Sequence, residues 1–314
     1  MPRATLITQT PHKVIFNQQK KGIDAEVIYV PLQILAGESF EIWSSQEKYK
    51  GLAKKDFAVF ESESSAFFKV SAEVGESNLE EVTFRSYQHI FKQLKRSNLN
   101  PVRVWNYIPD ILDEDRGQPR YNWFNKGRKS AWMKAGPKDS SNQPIYPAST
   151  GIGTLGDRLN IELFASKYKV GYLQNPYQVP PLDYSKKFGP QPLFSRGALL
   201  FDPNGTKLFV SATASIVGEE NVYLNNPKKQ TIQVLENIQN LISEKNCQQY
   251  GYDLGFSLDN FNQIRVYIKN LADFEIIRKI VEKFLGRKKK VIYLQADISR
   301  DQLLVEIEGV CTNP

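Results

Sequence analysis

Val102-Arg103-Val104-Trp105-Asn106-Tyr107-Ile108 and Ile264-Arg265-Val266-Tyr267-Ile268 are the two stretches on which the fold turns. Both are rich in β-branched and aromatic residues, both carry an arginine between aliphatic side chains, and both read as strands. Each follows an amphipathic helical pattern. Ahead of the first, Val82, Tyr87, Ile90, Phe91 and Leu94 recur at helical spacing from Leu79, and Asn98 to Pro101 end the run. Ahead of the second, Ile232, Leu235, Ile238, Leu241 and Ile242 do the same. A duplicated helix-on-sheet unit would produce this echo, and so would chance similarity between two short strands. Either origin points to the α+β class, with helices packed on one sheet face.

Residues 1–77 mix alternating stretches such as Glu26-Val27-Ile28-Tyr29-Val30 with polar turns at Gly37 and Gly51, a pattern of strands and loops. Later strand-like runs cover 159–164, 208–211, 291–294 and 303–310. Phe274, Ile277, Ile280, Val281 and Phe284 mark a further helix. The segment 134–147 carries Gly136, Pro137, Pro144 and Pro147 among polar residues and reads as an interdomain connection. The expected division is therefore an N-terminal α+β domain over 1–140 and a C-terminal domain over 141–314, to which the resemblance described below assigns catalysis.

The chain has 314 residues, 41% of them apolar, enough to bury a large core. No stretch approaches the roughly 18 uninterrupted apolar residues of a membrane helix, so a cytoplasmic setting without a membrane partner is expected. Cys247 and Cys311 have no spacing that suggests a disulfide framework or a zinc site; neither metal nor cofactor is expected. The net charge of +7 admits nucleic acid, a membrane surface or a small anionic substrate. Basic residues are scattered, apart from Lys20-Lys21, Lys54-Lys55 and Arg287-Lys288-Lys289-Lys290. The last cluster follows a helical pattern ending at Leu285-Gly286, where cations favour a helix C-terminus, so it reads as a solvated cap and nucleic acid is not an expected partner.

Gly151-Ile152-Gly153-Thr154-Leu155-Gly156 has the spelling of a dinucleotide fingerprint but not its context. No apolar strand precedes it, and Arg158-Leu159-Asn160-Ile161-Glu162-Leu163 alternates like a strand where a helix should begin. His12 and His89 are the only histidines, and both read as surface or helix-face residues, which leaves few candidates for imidazole chemistry. Attention moves to Glu, Arg and Tyr.

In Asp301-Gln302-Leu303-Leu304-Val305-Glu306-Ile307-Glu308-Gly309-Val310, alternation puts Leu303, Val305 and Ile307 on one face and both glutamates on the other. Desolvation there would raise a carboxyl pKa toward the range useful for proton transfer; the bland reading is a half-exposed strand with solvated glutamates. Four aromatic, polar segments accompany it: 120–128, 174–196, 209–218 and 296–300. A small ring dianion with two carboxylates needs guanidinium forks for its ends, a phenol to orient hydroxyls and one proton donor. Arg128, Arg196, Tyr121, Tyr184 and Glu306 supply that set. Salt-bridged arginines and loop-packing tyrosines are the competing reading.

Arg103-Val104-Trp105-Asn106-Tyr107-Ile108-Pro109, Phe124-Asn125-Lys126-Gly127-Arg128, Asn175-Pro176 with Gln178-Val179-Pro180, Phe194-Ser195-Arg196, Ser211-Ala212-Thr213-Ala214-Ser215-Ile216-Val217-Gly218, and Ala296-Asp297-Ile298 with Leu304-Val305-Glu306-Ile307-Glu308 together resemble the chorismatase family. The resemblance runs in order over 79–310. It implies two Rid/YjgF-like, chorismate-mutase-like helix-on-sheet units in one chain, with the active site in the C-terminal part, in a monomer or small homo-oligomer. It also implies chorismate as substrate, Glu306 as catalytic acid, and Tyr121, Arg128, Tyr184 and Arg196 as substrate-binding residues. Ala212 and Ser299 stand at positions that steer the product: Ala212 resembles the hydrolytic branch, and Ser299 replaces the cysteine of the 3-hydroxybenzoate-forming branch. Hydrolysis to pyruvate and a dihydroxycyclohexadiene carboxylate is the expected outcome, with 3- or 4-hydroxybenzoate formation as the alternative. Glu219 stands where the family commonly has a histidine. Readings of another class are a Rid-like imine deaminase and a non-catalytic binding protein.

Overall fold

The computed structural model describes residues 5–16, 22–24, 26–54, 56–74 and 78–312. The expected α+β architecture is present as two units with one topology. In the first sheet the order is Tyr49–Lys54, Phe57–Glu61, Ser65–Glu73, Arg158–Ser166, Asn100–Pro109, Ala148–Thr154. In the second it is Val170–Leu173, Gly197–Asp202, Gly205–Thr213, Val305–Thr312, Phe261–Ile268, Val291–Gln295. In both, the last pair is parallel and every other pair antiparallel. Helices Leu79–Ser97 and Arg120–Ala135 sit in the same places in the chain order as Pro227–Ile242 and Phe274–Leu285. The echo between the two arginine-bearing strands is a duplication of topology, not chance.

Alternation sorts each strand into a helix-facing and an inner side. Val104, Ile108, Ile161 and Leu163 pack with Tyr87, Ile90 and Phe91 of the first helix. Ile264, Val266, Val305 and Ile307 pack in the same way under Leu235, Ile238, Ile277 and Val281. The opposite faces meet each other: Phe67, Trp105 and Tyr107 share a core with Phe209, Tyr267 and Leu294, together with Val14, Phe16, Ile28 and Val30 from a four-stranded sheet near the N-terminus. Thr5–Thr8 extends the first sheet and Gln33–Ala36 the second.

The first helix starts where the sequence predicts. Asn78 caps it, its side chain accepting from Glu80 N at 2.9 Å, and Asn98 ends it in the left-handed conformation at φ 50°. Helix Arg120–Ala135 was not expected, because its buried face includes Asn125, Gly127 and Arg128. Gly127 is required there: a Cβ would stand 2.1 Å from the Glu80 carbonyl oxygen, so the glycine lets the two helices touch.

The segment 134–147 is not an interdomain connection. It leads from a helix into Ala148–Thr154, which pairs with Asn100–Pro109. A boundary at 140/141 would cut the first sheet, whose strands continue to Ser166; the units are joined by the few residues before Val170. Gly151–Gly156 spans a strand end and a turn, as its alternating neighbours imply. Helix Phe274–Leu285 stops at Gly286, φ 84°, as expected, and Lys289 then donates to the carbonyls of Asp259 (2.5 Å) and Phe261 (2.8 Å). Lys20-Lys21 and Lys55 lie outside the described residues. Among those residues no helix is long and apolar enough to cross a membrane.

Candidate active site

Where the two units face each other, a cavity of about 370 Å³ opens. Glu306, Tyr121, Tyr184, Arg196, Ala212 and Ser299 all line it. Glu306 projects from the inner face of Val305–Thr312 and is 6% exposed. Its neighbours Val305 and Ile307 are committed to the helix side, so strand geometry fixes its direction. Burial, and then the nearby charge of Glu308, raise its pKa to about 8, against the opposing pull of Arg196 and Arg300.

The walls come from both units. Tyr121 stands in the first turn of Arg120–Ala135, its backbone N–H bonded to the Ile111 carbonyl at 3.2 Å. Tyr184 follows the short 3-10 turn Pro181–Asp183, and its hydroxyl accepts from Arg196 Nη2 at 2.6 Å. The loop carrying Tyr184 is anchored by the Asn175-Pro176 and Gln178 motifs. Asn175 Nδ2 donates to the Asn237 carbonyl at 2.7 Å and Gln178 Nε2 to that of Ile216 at 2.9 Å.

The 297–300 turn is pinned from the first unit. Gly153 N–H donates to the Asp297 carbonyl at 2.8 Å, and a Cβ on Gly153 would lie 2.7 Å from Asp297 Cβ. That contact explains one glycine of the false fingerprint. The turn presents Ser299 and Arg300 to the cavity. Arg300, to which the sequence reading gave no role, lies 3.8 Å from the Phe188 ring centroid and donates from Nη1 to the Glu219 carbonyl (2.8 Å) and Asn221 Oδ1 (2.9 Å). The signal for it was its place beside Ser299, five residues before the acid strand begins at Val305.

Arg128 does not line the cavity. Its guanidinium is buried against the rings of Tyr87 (5.4 Å) and Trp132 (5.0 Å), on the helix-packed side of the first unit. Glu219 also stays outside the lining; its carboxylate accepts from Ser185 N–H at 2.7 Å while its carbonyl holds Arg300, so it ties the Tyr184 loop to that arginine. Among the described residues, no carboxylate pairs with Arg196 or Arg300 within 4.0 Å. With Glu306 neutral, the cavity is cationic.

His12 corrects the expectation of a surface residue. It is fully buried, with Nδ1 3.0 Å from Glu162 and Nε2 3.2 Å from Glu41. Burial opposes its protonation, but the two carboxylates outweigh burial and raise its pKa. Lys69 reaches Glu162 at 3.3 Å and Arg265 reaches Glu41 at 2.8 Å; none of these side chains lines the cavity.

Comparison with known proteins adds three findings. Residues 41–165 match the family described as "Chorismatase FkbO/Hyg5-like, N-terminal", a span that ends with the first sheet. The chain is 31% identical over 278 residues to a 3-hydroxybenzoate synthase of Streptomyces hygroscopicus, covering 86% of this chain and 80% of that one. It is 30% identical over 276 residues to a chorismatase of the same organism, covering 86% and 78%. A crystal structure of a chorismatase superposes with a TM-score of 0.88 over 98% of both chains at 23% identity, which establishes a shared fold.

Proposed function

We propose, from the premise that this chain belongs to the chorismatase family, that it is an enzyme releasing pyruvate from chorismate, with Glu306 as the proton donor. The observation that carries this reading is a buried carboxyl with a pKa of about 8, set in a cavity with two guanidinium groups and no paired carboxylate. An acid that keeps its proton at neutral pH, beside cations that accept a dianion, fits a substrate that must be bound as an anion and activated by protonation.

Glu306 protonates the terminal methylene of the enolpyruvyl ether. The positive charge falls on the ether carbon as an oxocarbenium ion, and water adds there and gives up a proton. The resulting hemiketal breaks its bond to the ring oxygen, giving pyruvate and a dihydroxycyclohexadiene carboxylate. Arg196 and Arg300 hold the carboxylates, and Tyr184, bonded to Arg196, fixes that guanidinium. Catalysis rests on positioning and one proton. Arg128 is not among the residues lining the cavity, and its charge favours the ionised form of the Tyr121 phenol against burial.

Ala212 and Ser299 border the cavity and support the hydrolytic outcome. The likeness to a 3-hydroxybenzoate synthase supports a second outcome, in which the ring rearranges to 3-hydroxybenzoate and pyruvate. Incubation with chorismate, with pyruvate assayed enzymatically and the ring product separated by chromatography, tests both. Pyruvate with a diene diol is expected; hydroxybenzoate would move the assignment to the second outcome, and no pyruvate would refute the reaction.

A further inference from the structure

The two units supply an internal comparison. In the first, Trp105 faces Glu162 across antiparallel strands; in the second, Tyr267 faces Glu306. Each glutamate stands opposite the residue two places after the strand arginine, Arg103 or Arg265, so Glu162 and Glu306 are register equivalents. Their surroundings differ in two ways. Glu162 has Lys69 across the neighbouring strand and His12 at its other side, whereas Glu306 has the small Ala212 and Ala214 beside the cavity. Two residues further along, the first unit has Phe164 and the second has Glu308.

Glu308 is buried, and its carboxylate accepts from five groups: Arg103, Thr150, Trp105 Nε1 (3.2 Å), Arg265 Nη1 (3.2 Å) and the Tyr267 hydroxyl (3.0 Å). All five are donors and two are guanidinium groups, so the carboxylate is held by charge-assisted hydrogen bonds from both units. It is roughly 7 Å along the strand from Glu306, on the same face. We propose that Glu308 is a positioning residue for the acid: a fixed negative charge, clamped by one arginine from each unit, that keeps Glu306 protonated until substrate arrives. This rests on the proposed role of Glu306.

Several other groups face Glu306 or border its cavity. Arg196 and Arg300 favour its ionised form, Tyr121 and Tyr184 stand in the cavity wall, and Tyr267 is committed to Glu308. Lys187 and Asp301, at the cavity edge, are paired with Glu220 and Lys269. Burial is the largest influence that keeps the acid neutral against the two arginines, and Glu308 is the nearby carboxylate that adds to it. In Glu162 the balance runs the other way: burial alone would raise its pKa, but His12 and Lys69 overcome that and lower it.

The test is the alkaline limb of the kcat/KM profile. Glu308→Gln should move it to lower pH by about one unit, a roughly tenfold loss of activity on the alkaline side, while Glu308→Asp leaves it near its original place. A folded Glu308→Gln with an unmoved limb overturns the proposal. If that variant does not fold by circular dichroism, Arg103→Gln decides, because stripping one cation from Glu308 should move the limb upward, and no movement overturns the idea. Carbon-13 titration of the Glu306 carboxyl reads the same shifts without turnover. An inactive wild type would thus sink the reaction while the role of Glu308 is still decided.

Discussion

Arg196 donates from Nη2 to the Tyr184 hydroxyl at 2.6 Å, so a residue at the start of a sheet strand is held by a loop side chain from across the cavity. The bond leaves the rest of the guanidinium for an anion. Arg196→Ala is expected to raise KM for chorismate by about 10- to 100-fold, the scale of a lost charge-assisted contact, with a smaller fall in kcat. Tyr184→Phe removes the bond but not the charge and should have a milder effect in the same direction. Steady-state kinetics of the two variants checks the order.

Glu306→Gln keeps the shape of the side chain and removes its proton. Turnover should fall by at least about 10²- to 10⁴-fold, the usual contribution of a general acid, while the circular dichroism spectrum is retained. In the wild type the active form is the protonated acid, so kcat/KM should be level at neutral pH and decline above about 8. A pyruvate-release profile across that range is the measurement; an activity that rises through pH 8 would contradict the role.

The same group makes a stability prediction of opposite benefit. Its folded pKa is raised above the ordinary 4.5, so the stability it permits is fully present below 4.5 and is lost as pH rises toward 8. Glu306→Gln does not ionise. At pH 8 it should be more stable than the wild type by on the order of a few kcal/mol, read as a higher Tm, and the difference should close below pH 4.5. Thermal melts at two pH values suffice.

Much of this architecture was legible in the sequence because periodicity reports burial. Val82 to Leu94 repeat at helical spacing and Leu303 to Glu308 alternate, and both elements formed where expected. Helix Arg120–Ala135 was hidden because it buries Asn125 and Arg128 and uses Gly127 to approach its partner helix, so its polar sequence resembles a loop. The domain boundary failed for a topological reason: Arg158–Ser166 inserts between Ser65–Glu73 and Asn100–Pro109, a pairing that no local pattern announces. His12 was misplaced because its partners, Glu41 and Glu162, are distant in sequence. In the site, residues carried by the family resemblance reached the cavity, apart from Arg128, whereas Arg300 had only its place beside Ser299 as a signal, because the turn that aims it at the cavity is set by packing on the distant Gly153.

Arg300 gives a direct check on that addition. Asn221 and the Glu219 carbonyl hold one guanidinium nitrogen, and Phe188 supports the plane at 3.8 Å. Arg300→Ala should raise KM by about 10-fold or more, whereas Asn221→Ala, which loosens the side chain without removing its charge, should have a smaller effect. Equal KM values for Arg300→Ala and wild type would remove it from the binding set.

Lys69→Met separates the structural glutamate from the chemical one. Lys69 is buried, 3.3 Å from Glu162, and also donates to the Glu26 carbonyl at 2.6 Å. Methionine fills nearly the same volume but leaves Glu162 with His12 as its one charged partner in reach. Breaking a buried pair in this way costs about 3–5 kcal/mol, so the midpoint of urea unfolding should fall clearly. The pH position of the alkaline activity limb should not move, because Lys69 is absent from the groups that bias Glu306. A limb displaced together with the stability loss would mean that the buried network and the acid are one electrostatic system, and the distinction drawn between Glu162 and Glu306 would fail.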